Sequence, residues 1–270
     1  MTDFVTALQS DSPVSRWQAI EEYRHLANHQ ADDQALSALF ETLGDNHPFV
    51  RWQAGLVLVQ QQEGRRKLTE AVNSPDQALF SQLAAIDALG RSQTNEADVA
   101  LITALHSDRA VVRQSAAEAL AHRKSPQALP HLIEALQDPD PWVRRAAAFG
   151  LGQIGQPEAT TALLAGLQDR SVLVRRSAAY ALGAIKAKPA WPYLKVSLTD
   201  PDMFTRRNAA WAIGRLGLTE AVPVLNQLVD DPNIGEEVKT AARHAVELLT
   251  RPRWLQTLLE VRSRLRWAHA

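Results

Sequence analysis

Residues 138–155 read Asp-Pro-Asp-Pro-Trp-Val-Arg-Arg-Ala-Ala-Ala-Phe-Gly-Leu-Gly-Gln-Ile-Gly. The stretch opens with residues that turn a chain and start a helix: Asp carboxylates accept from free amides, and Pro suits the first helical turn. Val143, Ala147, Leu151 and Ile154 then recur at helical spacing as one apolar stripe. Gly155 stands where a helix ends by entering the left-handed region. Upstream, Leu132, Ile133 and Leu136 mark a shorter helix behind Ser125-Pro126. The unit is helix, turn, helix.

The unit repeats. Asp169 to Arg175 and Asp200 to Arg206 follow Asp138 to Arg144 at 31-residue intervals, and Arg113 lies 31 residues before Arg144. Arg51 and Arg16 extend the series with looser spacing. Two units depart from it: one has Ser81-Gln82 where Arg is expected, and the last offers only Lys239. Helices this short and alanine-rich cannot bury their apolar faces alone, so stacked neighbours must share a continuous core. This predicts an all-α solenoid of about seven to eight helical hairpins over residues 1–250. The tail, 251–270, has five Arg and one Glu around Trp254, Leu255, Leu258 and Leu265. It reads as a basic amphipathic capping helix, since solenoid ends need covers.

Composition narrows the chemistry. Lys and Arg total 29 against 30 Asp and Glu, so the chain lacks the basic excess that phosphate neutralisation needs, and nucleic acid is not the expected partner. With 46% hydrophobic residues the chain can build a core. Cys is absent, which removes thiol catalysis, disulfides and thiolate-held metal clusters. No apolar run is long enough for a membrane span and no signal peptide is indicated, so a cytoplasmic location is expected.

Residues 143–155 and 174–185 (Val-Arg-Arg-Ser-Ala-Ala-Tyr-Ala-Leu-Gly-Ala-Ile) resemble the short HEAT-like repeat of the phycobilisome-lyase type. The resemblance covers nearly the whole chain and is strongest over 105–217. It implies a right-handed α-α superhelix whose second helices line a concave face where partners bind. It does not imply one function, because the fold hosts lyases, glycosylases and adaptors.

Several motifs have plain structural readings. Gly150-Leu-Gly152-Gln-Ile-Gly155 spells a dinucleotide fingerprint, but a dinucleotide site needs it to open a helix, and here it closes one. The pairs Asp138/Arg144, Asp169/Arg175 and Asp200/Arg206 read as a structural ladder of bidentate ion pairs tying neighbouring turns. Glu21, His25 and His29 could aim metal ligands from one helix, although a solvated helix end explains them as well. The other histidines show no cluster, and no metal site is expected. No His-Glu dipeptide occurs, which sets aside the iron-holding motif of the HEAT-like deoxyhypusine hydroxylases.

The informative positions lie beside the core stripe. Arg145, Arg176 and Arg207 fall one repeat apart, next to Phe149, Tyr180 and Trp211. The turns add Phe49, Trp142, Leu173 and Phe204, and Trp17 and Trp52 stand upstream. Aromatics with Arg are what binding surfaces are enriched in, whereas solvated faces rarely repeat large rings. The competing reading is that these rings fill gaps between repeats. With no convergent nucleophile, base or metal set, no catalytic residue is assigned. The expected function is a non-enzymatic scaffold that docks another protein on the concave face, without a cofactor. Resemblance suggests photosynthetic-antenna or iron–sulfur assembly as settings. The alternatives are a phycobilin lyase or lyase subunit, its bilin propionates paired with the Arg row, and a HEAT-like DNA glycosylase.

Overall fold

The computed structural model describes residues 2–26 and 33–251, and every regular element among them is helical. The chain divides into two compact units, one ending at Ile154 and the other beginning at Gly155. In the first, five hairpins follow one another: α1 Thr2–Leu8 with α2 Pro13–Leu26, α3 Asp33–Glu41 with α4 Pro48–Gln60, α5 Gln62–Asn73 with α6 Leu79–Arg91, α7 Asn95–Ala104 with α8 Ala110–Arg123, and α9 Leu129–Ala135 with α10 Pro141–Ile154. The second holds three: α11 Thr160–Gly166 with α12 Val172–Ala184, α13 Trp191–Ser197 with α14 Met203–Leu216, and α15 Val222–Asp230 with α16 Glu236–Thr250. Eight hairpins are present among the described residues, as the repeat predicts. The proposed capping tail lies outside the described residues apart from Arg251, as does His29.

Within each unit, second helices pack on second helices: α4 on α6, α6 on α8 and α8 on α10, then α12 on α14 and α14 on α16. Small residues set how close they come. A Cβ on Gly183 would lie 2.6 Å from the Ala212 Cα, and one on Gly214 would lie 2.7 Å from the Ala245 Cα. Val143, Ala147 and Leu151 are fully buried, as the stripe requires. Each large core side chain contributes about 1.5–3 kcal/mol, while ordering the backbone costs about 1–2 kcal/mol per residue. A lone hairpin burying two or three such groups therefore stays unfolded, and stacking is obligatory. Gly155 follows α10 at φ +79°, and a Cβ on Gly150 would press on Leu132 and Ala121, so the glycine motif serves packing and helix ending.

The ladder exists, in a different register from the one read in the sequence. The sequence paired each Asp with the Arg six residues later. In the structure that Arg instead reaches its own turn's main chain: Arg144 Nη1 donates to Asp138 O at 2.8 Å, Arg175 Nη1 to Asp169 O at 3.0 Å and Arg206 Nη1 to Asp200 O at 2.7 Å. The carboxylate fork belongs to the next turn. Arg113 grips Asp138 with Nε and Nη2 at 2.7 and 2.9 Å, Arg175 grips Asp200 at 2.8 and 3.1 Å, and Arg16 grips Asp45 at 2.6 and 2.9 Å. Each such Asp also accepts the amide two residues on, closing its own turn: Asp140 on Asp138, Asp202 on Asp200, His47 on Asp45. The reason for the register is reach. Six residues back, the guanidinium meets turn carbonyls that lie before the helix and take no intrahelical amide, while the carboxylate is already turned toward the preceding hairpin. At the final junction the pattern stops, and Arg206 Nε has no hydrogen-bond partner.

Candidate functional site

In the first unit the second residue of each second helix is apolar and exposed: Val14, Phe49, Phe80, Val111 and Trp142. From Phe49 onward they stand 31 residues apart. This position precedes the first buried residue of its helix (Val50, Val112, Val143), so its side chain leaves the core as the helix begins. Rings and guanidiniums gather around it. Phe49 lies 5.9 Å from Trp17 and 5.4 Å from Trp52, the latter stacked. Arg51 covers Phe80 at 4.9 Å, Arg91 covers Trp52 at 5.8 Å and Arg145 covers Trp142 at 5.9 Å. Arg145 also donates to Glu118 Oε1 at 3.3 Å. Between α6 and α8 the surface dips into a groove of about 390 Å³, rimmed by Asp87, Arg91, Glu118 and His122.

In the second unit Phe204 takes the same position and is 38% exposed. Its ring lies between two guanidiniums, Arg176 at 4.5 Å and Arg207 at 5.1 Å. Tyr180 and Trp211 stack at 5.0 Å with Arg215 over the Trp211 ring. Arg176 forks onto Asp202 at 2.7 and 2.5 Å, and Asp202 caps α14 by accepting from the Thr205 amide at 2.7 Å. The Arg176 guanidinium, aided by the Thr205 amide and hydroxyl, holds the Asp202 carboxyl far below the usual carboxylate range against the cost of burial.

This geometry changes the reading of the stripe. Arg145 and Arg176 are not open cations: each already meets a carboxylate, Glu118 and Asp202. Arg207 is exposed and lies on a ring face. Tyr180 and Trp211 are half-buried, and Trp211 presses on Gly183, so this pair fills space between neighbouring helices as well as showing an edge. Phe149 is half-buried on α10. The rings at the second-helix starts, Phe49, Phe80, Trp142 and Phe204, are all exposed, as is Tyr193 on the first helix α13. Phe80 was missed in the sequence because the Arg that flags each repeat is absent at Gln82, and Val111 because it is not aromatic. Counting 31 from Trp142 would have found both. His25 pairs with Glu21 at 3.2 Å on an exposed helix face. The histidines expected to be scattered include one cluster among the described residues: His106, His131 and Glu134 converge. No described helix is long and apolar enough to cross a membrane.

A family model of HEAT repeats matches residues 99–182 and 161–247. No curated protein matches the chain. Among solved structures, YibA of E. coli aligns with a TM-score of 0.60 at 19% identity, over 93% of this chain and 92% of YibA. An engineered protein aligns at 0.52 and 20%, over 92% of this chain and 77% of its own. The CpcE–CpcF complex of phycocyanin lyase from Nostoc sp. gives 0.47 and 20%, over 82% and 97%, too distant a likeness to argue from. Such identities show the fold alone. The two family matches together span more than half of the residues, and the chain belongs to the family of HEAT repeats.

Proposed function

We propose that this helical repeat scaffold is a non-enzymatic adaptor that docks a protein partner on the side of its second helices, concave in the family resemblance. One observation carries the reading. Phe49, Phe80, Val111 and Trp142 recur every 31 residues and are 41–59% exposed. Monomeric proteins scatter exposed apolar residues singly, and a periodic row marks an interaction surface. Guanidiniums lying on several of these rings would leave their edges to meet acids, so the partner suited to the row presents apolar side chains flanked by Asp and Glu. Bilin attachment would need free cations for two propionates, and Arg145 and Arg176 are already paired.

A photo-reactive residue placed at position 80 or 142 and expressed in the native host tests the reading. Both positions should capture the same protein, while Val196, exposed on a first helix, should not. Phe80→Asp should weaken recovery of that protein by about tenfold or more, the scale of a lost anchor. Equal capture from position 196, or none from the row, defeats the proposal. Incubation of the chain with a bilin, read as a shifted and sharpened visible band, would revive the lyase alternative.

A further inference from the structure

The regular repeat explains nearly every side chain at the junction of the fourth and fifth hairpins, and three are left over. His106 lies just after α7, where the Ser107 amide donates to Ala104 O as the helix ends. His131 and Glu134 stand three residues apart on α9, and therefore on one flank of it. Between them Leu132 points inward and is fully buried, which fixes how α9 is rotated and sends its two neighbours toward α7. The candidate ligand atoms of all three lie within 4.8 Å of one another, and the two imidazoles meet edge to face at 6.2 Å between centroids. Tetrahedral bonds of about 2.0–2.2 Å need ligand atoms roughly 3.4 Å apart. Rotation of His106 and Glu134, both exposed, would close that gap.

The surroundings point the same way. The three line a single open cavity of about 460 Å³ with Asp108, Asp138 and Arg113. Arg113 forks onto Asp138, and Glu134 and Asp108 add two further carboxylates to the lining. The fold does not ask for these donors. One repeat later the same positions hold Gln137, Ala162 and Ala165, and two repeats later Gln168, Tyr193 and Val196, with the hairpins unchanged.

We infer that His106, His131 and Glu134 form a binding site for a divalent cation of the zinc class, with a fourth position open to water or to a donor from another molecule. Two imidazoles and one carboxylate select zinc, cobalt or nickel over calcium and magnesium, which take all-oxygen shells. Three protein ligands with an open position is the arrangement of exchangeable rather than sealed structural zinc sites. Bound metal would cross-link the end of α7 to α9, joining two consecutive hairpins.

The test uses the untagged full chain and the metal alone. Zn²⁺ calorimetry should give one saturable site, and Co²⁺ should develop visible bands of a low-symmetry, nitrogen- and oxygen-ligated ion. His131→Ala and Glu134→Gln should each lower the affinity at least about tenfold, and His106→Ala with His131→Ala should abolish binding. His122→Ala, an exposed histidine of α8 outside the cluster, should leave it intact. The wild-type melting temperature should rise with Zn²⁺, and that of the double variant should not. Absence of saturable binding up to about 1 mM, or unchanged binding by a folded double variant, overturns the site.

Discussion

Two neighbouring junctions of the first unit solve one problem differently. Between the fourth and fifth hairpins, Arg113 reaches back to Ser107 O and Asp108 O and forward onto the Asp138 carboxylate. Between the third and fourth, both ends of that arrangement have changed: Gln82 stands in place of Arg113 and Ser107 in place of Asp138, each 31 residues earlier. Ser107 still closes its turn, its Oγ accepting the Arg109 amide at 3.3 Å. Gln82 donates to Val72 O at 2.8 Å, and Arg109 from the following hairpin supplies the missing guanidinium, donating to Gln77 O, Pro75 O and Gln82 Oε1. The fold therefore requires that the carbonyls of each turn be met by donors, and leaves open which residue brings them. It also requires that a buried carboxylate never lose its cation, which is why the acid and the base left together.

The sharpest way to break this comparison is to remove the guanidinium at each junction in turn. Arg113→Ala strands the Asp138 carboxylate, whose side chain is 9% exposed, and should cost about 2–4 kcal/mol. Arg109→Ala strands only main-chain and amide oxygens near solvent and should cost about 1–2 kcal/mol. Chemical denaturation would rank them, and an equal or reversed order would show that the ion pair is not what distinguishes the two junctions. The same logic ranks Arg175→Ala above Arg176→Ala, although Asp202 narrows the gap the sequence suggested by engaging Arg176 too.

Acid sharpens the contrast without mutation. Burial works against the Asp138 carboxyl, yet the Arg113 guanidinium and the Asp140 amide outweigh it and hold its pKa below the ordinary value. A depressed folded pKa contributes stability that is complete above the unfolded pKa, near 4, and is lost as pH falls through the folded value. Asp45 behaves alike against Arg16 and His47. Hydrogen exchange on lowering the pH below about 4 should therefore loosen the α9–α10 turn before the α7–α8 turn, where Ser107 has nothing to protonate. Simultaneous loosening would mean that the carboxylate does not set local stability.

The repeat period was legible because the physics of stacking repeats it: Asp and Arg at 31-residue spacing, with apolar residues at helical intervals between them. The pairing register was not, because sequence proximity favours Asp138 with Arg144, and only the folded turn shows that Arg113 arrives first. The site was half legible. The Arg and aromatic positions were found where they share the 31-residue frame, but whether a guanidinium is free depends on acids such as Glu118 and Asp202 arriving from neighbouring helices. The His106, His131 and Glu134 cluster was hidden for the same reason. Its members are 25 and 28 residues apart along the chain, and they meet only because successive first helices lie side by side.

The smallest effect is expected at the ends of the second helices of the fourth and fifth hairpins, α8 and α10. Helix α10 gives way to Gly155 at φ +79°, whereas α8 ends on Lys124 at φ +51°, a left-handed conformation that strains any residue with a Cβ. The lysine amide still donates to Ala121 O, so the cap forms and the cost lies in the backbone. Replacing Lys124 by Gly relieves about 1 kcal/mol of that strain and gives back part of it through the greater freedom of glycine in the unfolded chain. Lys124→Gly should therefore raise stability by about 0.5 kcal/mol, while Gly155→Ala, which creates the strain anew, should lower it by about 1 kcal/mol. Thermal melts of the two variants against the parent would read both signs. If Lys124→Gly destabilises, the lysine contributes something at the end of α8 that outweighs its backbone strain, and the two helix ends are not equivalent.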